Sequence, residues 1–204
     1  MIYIVGIGPG AREYILPKAE KIMENCHVII GFERAIKSLN YIKQKKIIFN
    51  SFVKIFEFID DNKDKNISVA ASGDPCFYGI TEYFNRNFNG EFQVIPGISS
   101  FQYLMSKLGK PWQNAKLCSL HGRNEKFIEE VRNNKLSVWL TDKNNTPNYI
   151  CGELIKNHIR ALVYVGENLS YEDEKISKGT EEEMYRGDYS SLCVVVVENG
   201  EDIR

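Results

Sequence analysis

Ile2-Tyr3-Ile4-Val5-Gly6-Ile7-Gly8-Pro9-Gly10-Ala11 is the stretch on which the fold turns. A short apolar run stopped by glycines reads as a buried strand feeding a tight loop. The next helix signal comes only at Pro17. There Pro17–Cys26 opens with proline in its first turn and sets Ala19, Ile22 and Met23 on one face. Outward from this unit the pattern recurs. Strand-like runs at His27–Ile30, Lys46–Phe49, Ile67–Ala71 and Phe92–Ile95 alternate with helix-like stretches at Glu33–Leu39, Val53–Ile59, Thr81–Asn87 and Ser99–Leu108. In Val53–Ile59 the apolar residues Val53, Phe56 and Ile59 stand three apart. Such alternation predicts a parallel sheet with helices on both faces. Right-handed crossovers gather the glycine loops at the carboxyl ends of the strands, where these sheets bind ligands.

Gly109–Ala115, with Gly109 and Pro111, interrupts the pattern, which then restarts. The second half gives strands at Leu117–Leu120, Leu136–Thr141 and Ala161–Val165, with helices at Glu125–Arg132 and Asn148–Lys156. The rhythm changes at Lys175–Lys178, a short helix near Thr180–Tyr185 and Leu192–Val197, which suggests a partly antiparallel end. The expected fold class is α/β, as two small α/β domains. Residues 1–110 should hold a mostly parallel sheet and 115–204 a mixed one, with the ligand cleft between them.

Composition narrows the function. The 204 residues are 43% hydrophobic and 26% charged, as in an ordinary globular protein. Lys plus Arg number 26 against 27 Asp plus Glu, a net charge of −1. No global basic field exists to hold a polyanion, so nucleic acid is not the expected partner. The five cysteines form no CxxC pair, and Cys26, Cys118 and Cys193 sit in or beside apolar runs. Reduced, buried thiols, a cytoplasmic setting and no bound metal are expected. The N-terminal stretch shows no basic leader and no apolar run long enough to span a membrane.

Gly6-Ile7-Gly8-Pro9-Gly10-Ala11 satisfies the loose G-x-G-x-x-G/A dinucleotide pattern, with Glu33 as a possible ribose acid. Two physical objections weigh against that reading. Pro9 removes one backbone N–H from the loop that would cradle a pyrophosphate. The helix begins too late for its positive end to abut the glycines. A second motif, Ala71-Ser72-Gly73-Asp74-Pro75-Cys76-Phe77-Tyr78-Gly79, follows the strand Ile67–Ala71. Gly73 permits close backbone approach, Asp74-Pro75 forces an extended turn, and Phe77 and Tyr78 offer flat apolar surface. A dry, carbonyl-rich pocket beside one carboxylate suits a sulfonium and an ammonium; a plain turn with an Asp cap is the alternative. The third motif, Val94-Ile95-Pro96-Gly97-Ile98-Ser99-Ser100, puts two hydroxyls at a helix start, where they cap the helix or hold a ligand.

In this order and spacing the three motifs resemble the tetrapyrrole methylase family, class III S-adenosylmethionine enzymes built from two α/β domains. The resemblance covers essentially the whole chain. Further features are Gly31-Phe32-Glu33-Arg34, Pro111-Trp112-Gln113, Ser119-Leu120-His121-Gly122-Arg123, Leu140-Thr141-Asp142 with Asn145-Thr146-Pro147, and Gly166-Glu167-Asn168-Leu169-Ser170. Together they are similar to the branch that methylates C-5 of cobalt-precorrin-7. Ser72 and Ser99 stand where relatives often carry Gly and Thr, and both keep the residue small.

The resemblance implies S-adenosylmethionine as methyl donor, S-adenosylhomocysteine as product and a cobalt-precorrin as substrate. It places the cofactor against Pro9, Ser72, Gly73, Asp74, Phe77, Ser99 and Ser100, and against Thr141 and Leu169 in the second domain. Substrate contacts are expected at Gly8, Gly10, His121 and Arg123. His121 is the candidate proton acceptor, and the Arg123 guanidinium could pair bidentately with a substrate carboxylate. His27 is expected to be structural and His158 solvated. A homodimer is implied, as is a functional link to a separate C-15 methylase/decarboxylase. The alternatives are a methylase of this fold acting elsewhere, a dinucleotide-dependent oxidoreductase, and a non-catalytic corrinoid carrier.

Overall fold

A computed structural model describes residues 1–120 and 126–200. The chain divides into two compact units, Met1–Ser100 and Phe101–Arg204.

The first unit holds strands β1 (Ile2–Gly6), β2 (Val28–Gly31), β3 (Lys46–Ile48), β4 (Ile67–Ala71) and β5 (Phe92–Ile95). They form one sheet in the order β3-β2-β4-β1-β5, and every pairing is parallel. Strands buried on both faces need near-continuous apolar runs, and β4 is buried at all five residues. Successive side chains feed opposite faces. Val5, Ile29 and Ala70 join one cluster with Ala19 and Met23 of helix α1 (Pro17–Asn25) and Ala35 and Ile36 of α2 (Glu33–Lys37). Ile4, Ile30 and Val69 join another with Ile55 and Ile59 of α3 (Phe52–Asp60) and Ile80 and Phe84 of α4 (Ile80–Asn87).

Two details differ from the sequence reading. The inward face of α3 is Ile55 and Ile59, while Val53 is 59% exposed. A spacing of four stays closer to the 3.6-residue turn than two successive steps of three, so the Val53 end of the apparent stripe rotates outward. A single 3-10 turn, Arg12–Tyr14, also fills part of the gap before α1.

The second unit carries α5 (Ser100–Leu108, from Phe101 onward), β6 (Lys116–Ser119), α6 (Phe127–Asn133), β7 (Leu136–Leu140), α7 (Pro147–Lys156), β8 (Ala161–Glu167), β9 (Lys175–Thr180), α8 (Glu181–Tyr185) and β10 (Cys193–Asn199). Helix α5, expected to end the first domain, thus clusters with the second unit. The sheet order is β6-β7-β10-β8-β9, with β6–β7 parallel and the other pairings antiparallel. The predicted mixed sheet is present. Its core gathers Trp139, Val163, Val165, Val195 and Val197 with Ile150 and Leu154 of α7 and Phe127 and Val131 of α6. Four of the five cysteines are buried as expected, and all are free thiols. Cys76 is the exception: it is exposed because it lies on the loop after β4. Among the described residues, no helix is long and apolar enough to cross a membrane.

Candidate functional site

The order β4-β1-β5 makes neighbours of the three strands that carry the sequence motifs. All three run the same way, so their loops leave the sheet side by side at its carboxyl edge. The loops are then joined through backbone. Gly8 and Gly73 exchange two hydrogen bonds, N–H of Gly73 to the Gly8 carbonyl at 2.8 Å and N–H of Gly8 to the Gly73 carbonyl at 3.3 Å. A Cβ placed on Gly6 would lie 2.6 Å from the Gly97 nitrogen, and one on Gly97 would overlap the Gly73 carbonyl oxygen. Three loops thus meet at three bare backbones.

Gly73 differs from Gly6 and Gly97. Its φ is +68°, a left-handed conformation that costs an L-residue about 1–2 kcal/mol. Yet a Cβ there would meet nothing nearer than the Ser99 Cα at 3.6 Å. The glycine that must be glycine for backbone reasons therefore also faces free room, beside Ser99 and Ser100. That is the shape of a cradle that a side chain would fill.

Asp74 braces the assembly. Its Oδ1 accepts the Cys76 N–H at 2.7 Å, and its Oδ2 accepts the Gly97 N–H at 3.1 Å. The turn cap weighed in the sequence is present, together with a second bond to a different loop. Tyr78 follows at φ +49°, and its ring meets Phe77 edge-on at 5.0 Å. Pro9, Gly8 and Gly10 are buried, Ser99 is 3% exposed, Ser100 and Phe77 are half-buried, and Ser72 is exposed. The structure thus brings Pro9, Ser72, Gly73, Asp74, Phe77, Ser99 and Ser100 onto adjoining loops of one sheet edge. Gly6 and Gly97 were not singled out by the sequence reading, although each sits inside a quoted motif.

In the second unit, β7 and β8 both run antiparallel to β10, so Thr141 and Leu169 leave the sheet at the same end. The Thr141 hydroxyl donates to the Cys193 carbonyl at 2.7 Å, and Leu169 is 4% exposed. Asn145 opens the motif Asn145-Thr146-Pro147. Its amide donates to the Leu120 carbonyl at 2.9 Å and to Asp142, tying the β7 loop to the end of β6. His121 and Arg123 lie outside the described residues, as does Glu125, the expected first residue of α6. His27 is exposed, and its Nδ1 accepts the Asn66 N–H at 3.0 Å, a structural role. His158 is exposed at φ +56° just after α7.

Comparison with known proteins bears on this geometry. Residues 1–185 match the model of the tetrapyrrole (corrin/porphyrin) methylases. A Methanocaldococcus jannaschii protein named as a probable cobalt-precorrin-7 C(5)-methyltransferase is 37% identical over 100% of both chains. A solved structure of a cobalamin-biosynthesis precorrin-6Y methylase from Archaeoglobus fulgidus superposes with TM-score 0.79, at 24% identity and 98% coverage of each chain. The uroporphyrin-III C-methyl transferase of Thermus thermophilus, solved in complex with S-adenyl homocysteine, gives 0.76 at 18% identity, covering 96% of this chain and 91% of that one. With a family match over most of the sequence and a full-length relative above a third identical, the chain belongs to the tetrapyrrole (corrin/porphyrin) methylase family.

Proposed function

We propose that this chain methylates C-5 of cobalt-precorrin-7 in cobalamin biosynthesis, with S-adenosylmethionine as donor. The observation that carries the reading is the end-to-end match to a relative of that name. The cradle at Gly73 fits the donor: free room beside two serine residues, and backbone carbonyls with one carboxylate nearby. Pro9, Ser72, Gly73, Asp74, Phe77, Ser99 and Ser100 would contact it, with Thr141 and Leu169 from the second unit. Gly8, Gly10, His121 and Arg123 would meet the substrate.

When bound, S-adenosylmethionine supplies a sulfonium methyl already activated for displacement. The acceptor carbon of a reduced macrocycle is already nucleophilic. The residues therefore mainly hold two reactants in line and exclude water, an effect worth up to roughly 7–11 kcal/mol. Asp74 fits this division of labour, because both its oxygens are occupied in holding loops together. His121 is the candidate to take the proton from the methylated carbon.

A cytoplasmic homodimer and a functional link to a separate C-15 methylase/decarboxylase belong to the same proposal, supported by family resemblance. Light scattering on the purified protein tests the dimer. The mass of the product after incubation with cobalt-precorrin-7 and S-adenosylmethionine tests the reaction. A gain of one methyl group, at C-5 by NMR, supports it. No transfer to this substrate, or transfer to another ring carbon, overturns it.

A further inference from the structure

The loop after β8 is built against backbone preference. Asn168 and Ser170 both sit in the left-handed region, at φ +45° and +69°, with Leu169 between them. Left-handed residues other than glycine persist only where neighbours over-determine them, and they cluster at functional sites. Here the neighbours can be named. Glu174 Oε2 accepts the Ser170 N–H at 2.6 Å. Its Oε1 lies 3.4 Å from Lys107 Nζ, and Tyr103 hydrogen-bonds the same carboxylate. Tyr103 and Lys107 stand one turn apart on α5, with the Lys107 ammonium 5.2 Å over the Tyr103 ring. Closer to the sheet, Gly166 carries no side chain. A Cβ there would lie 2.7 Å from Leu169 Cδ2 and 2.9 Å from Leu104 Cδ1, so Leu104 of α5 and Leu169 share bare strand. One carboxylate thus ties a strained loop to the helix that begins at Ser100.

We propose that Glu174 is a positioning residue for the methyl donor, fixing the Leu169 loop on α5 so that Leu169 is held in its cofactor-contacting place. This rests on the reading above, in which Leu169 and Ser100 touch the cofactor. The electrostatics agree with the geometry. Burial raises the Glu174 pKa, but bonds from Tyr103, Ser170 and Lys107 outweigh it and hold the carboxyl below its ordinary value. Burial and the Glu174 carboxylate together push the Tyr103 hydroxyl up to about 12. Glu174 therefore stays ionised, and Tyr103 stays a donor, across the neutral range.

The test is calorimetric titration of S-adenosylhomocysteine into the full chain and its Glu174→Ala, Glu174→Asp and Glu174→Gln variants, with thermal melting alongside. Glutamine keeps one oxygen for the Ser170 N–H but loses the charge and the second acceptor that hold Lys107 and Tyr103, so its Kd should fall between alanine and wild type. Aspartate is one methylene short and alanine has no acceptor. Both should raise Kd about tenfold or more at temperatures well below melting. In turnover, KM for the methyl donor should rise with that Kd while kcat changes little. A merely structural role would lower the melting temperature and leave Kd of the folded protein alone. Folded Asp or Ala variants with wild-type Kd overturn the proposal. If alanine does not fold, the Asp and Gln variants decide. Wild-type protein that fails to bind S-adenosylhomocysteine overturns the cofactor reading itself, a distinct result.

Discussion

The carboxylate of Asp74 reaches across from the β4 loop to the backbone of Gly97 in the β5 loop, 3.1 Å from Oδ2 to the nitrogen, while its other oxygen holds Cys76. Hydrogen bonds to a charged group contribute about 1.5–3 kcal/mol each. Asp74→Ala should loosen the junction of the two loops, lower the melting temperature and weaken S-adenosylhomocysteine binding by about tenfold or more. Asn has one acceptor oxygen for two N–H donors, so Asp74→Asn should fall between alanine and wild type. Calorimetry and thermal melting check this. Alanine binding as tightly as wild type would show that the brace does not shape the pocket.

Gly73 and Gly97 should respond differently to a side chain. At Gly97 an added Cβ would overlap the Gly73 carbonyl, so Gly97→Ala should disturb the fold itself. At Gly73 the room is free, and the backbone penalty is about 1–2 kcal/mol. Gly73→Val should therefore stay folded by circular dichroism yet lose cofactor binding. Normal S-adenosylhomocysteine binding by a folded Gly73→Val protein would place the pocket elsewhere.

How much of this was legible in the sequence follows from where the information lies. Strands such as Ile67–Ala71 announce themselves because burial on both faces demands unbroken apolar runs. The order β3-β2-β4-β1-β5 was not legible, since parallel pairing leaves no turn signature between partners. The Asp74–Gly97 bond spans 23 residues, and only the fold brings its ends together. The motif at Gly166 was visible as letters, but its meaning lies in side chains of α5 more than fifty positions away.

A second polar cluster sets an acid limit on stability. Lys110 Nζ and the Tyr164 hydroxyl meet Glu198 Oε2 at 2.9 Å and 3.0 Å. Burial raises the Glu198 pKa, but bonds from Lys110 and Tyr164 outweigh it and hold the carboxyl below its ordinary value. A depressed folded-state pKa contributes stability that is complete above the unfolded value and lost as pH falls through the folded one. Denaturation midpoints should therefore drop as pH falls below the ordinary glutamate range. Glu198→Gln should flatten that drop while lowering stability at neutral pH. An acid limb identical to wild type would remove Glu198 from the account.

In the sequence His121 and Gly122 separate Leu120 from Arg123, and the expectation for His121 and Arg123 comes from the sequence. The proposed substrate is a polycarboxylate, while the chain carries a net charge of −1, so positive charge must be concentrated locally. Arg123→Ala should raise substrate KM by about one to two orders of magnitude, the loss of a charge-assisted hydrogen bond, with S-adenosylhomocysteine affinity nearly unchanged. His121→Ala should instead lower kcat by about a hundredfold and flatten the acid limb of the rate profile. Wild-type kinetics in both would remove His121 and Arg123 from the substrate.

The choice of cofactor can be predicted from topology as well as from sequence. A dinucleotide fold of the 3-2-1-4-5-6 order sets the glycine-loop strand directly beside the second strand. Here β4 lies between β1 and β2, and among the described residues β1 pairs with β4 and β5. The space beside the β1 loop is therefore taken by the β4 loop, through the paired hydrogen bonds of Gly8 and Gly73. The other requirement of a pyrophosphate site also fails. Helix α1 starts at Pro17, with the turn Arg12–Tyr14 before it, so its N-terminal N–H groups stand away from the glycines. Gly8 and Gly73 spend their N–H groups on each other, and Pro9 has none to offer. Ile7 and Gly8 thus give their N–H groups to β4 and its loop and Pro9 has none, which leaves this part of the loop poorer in donors for an anion. Calorimetry should give binding of S-adenosylhomocysteine and no measurable heat with NAD or NADP. Preferential binding of either dinucleotide would overturn the cofactor assignment and the reading of the Gly73 cradle with it.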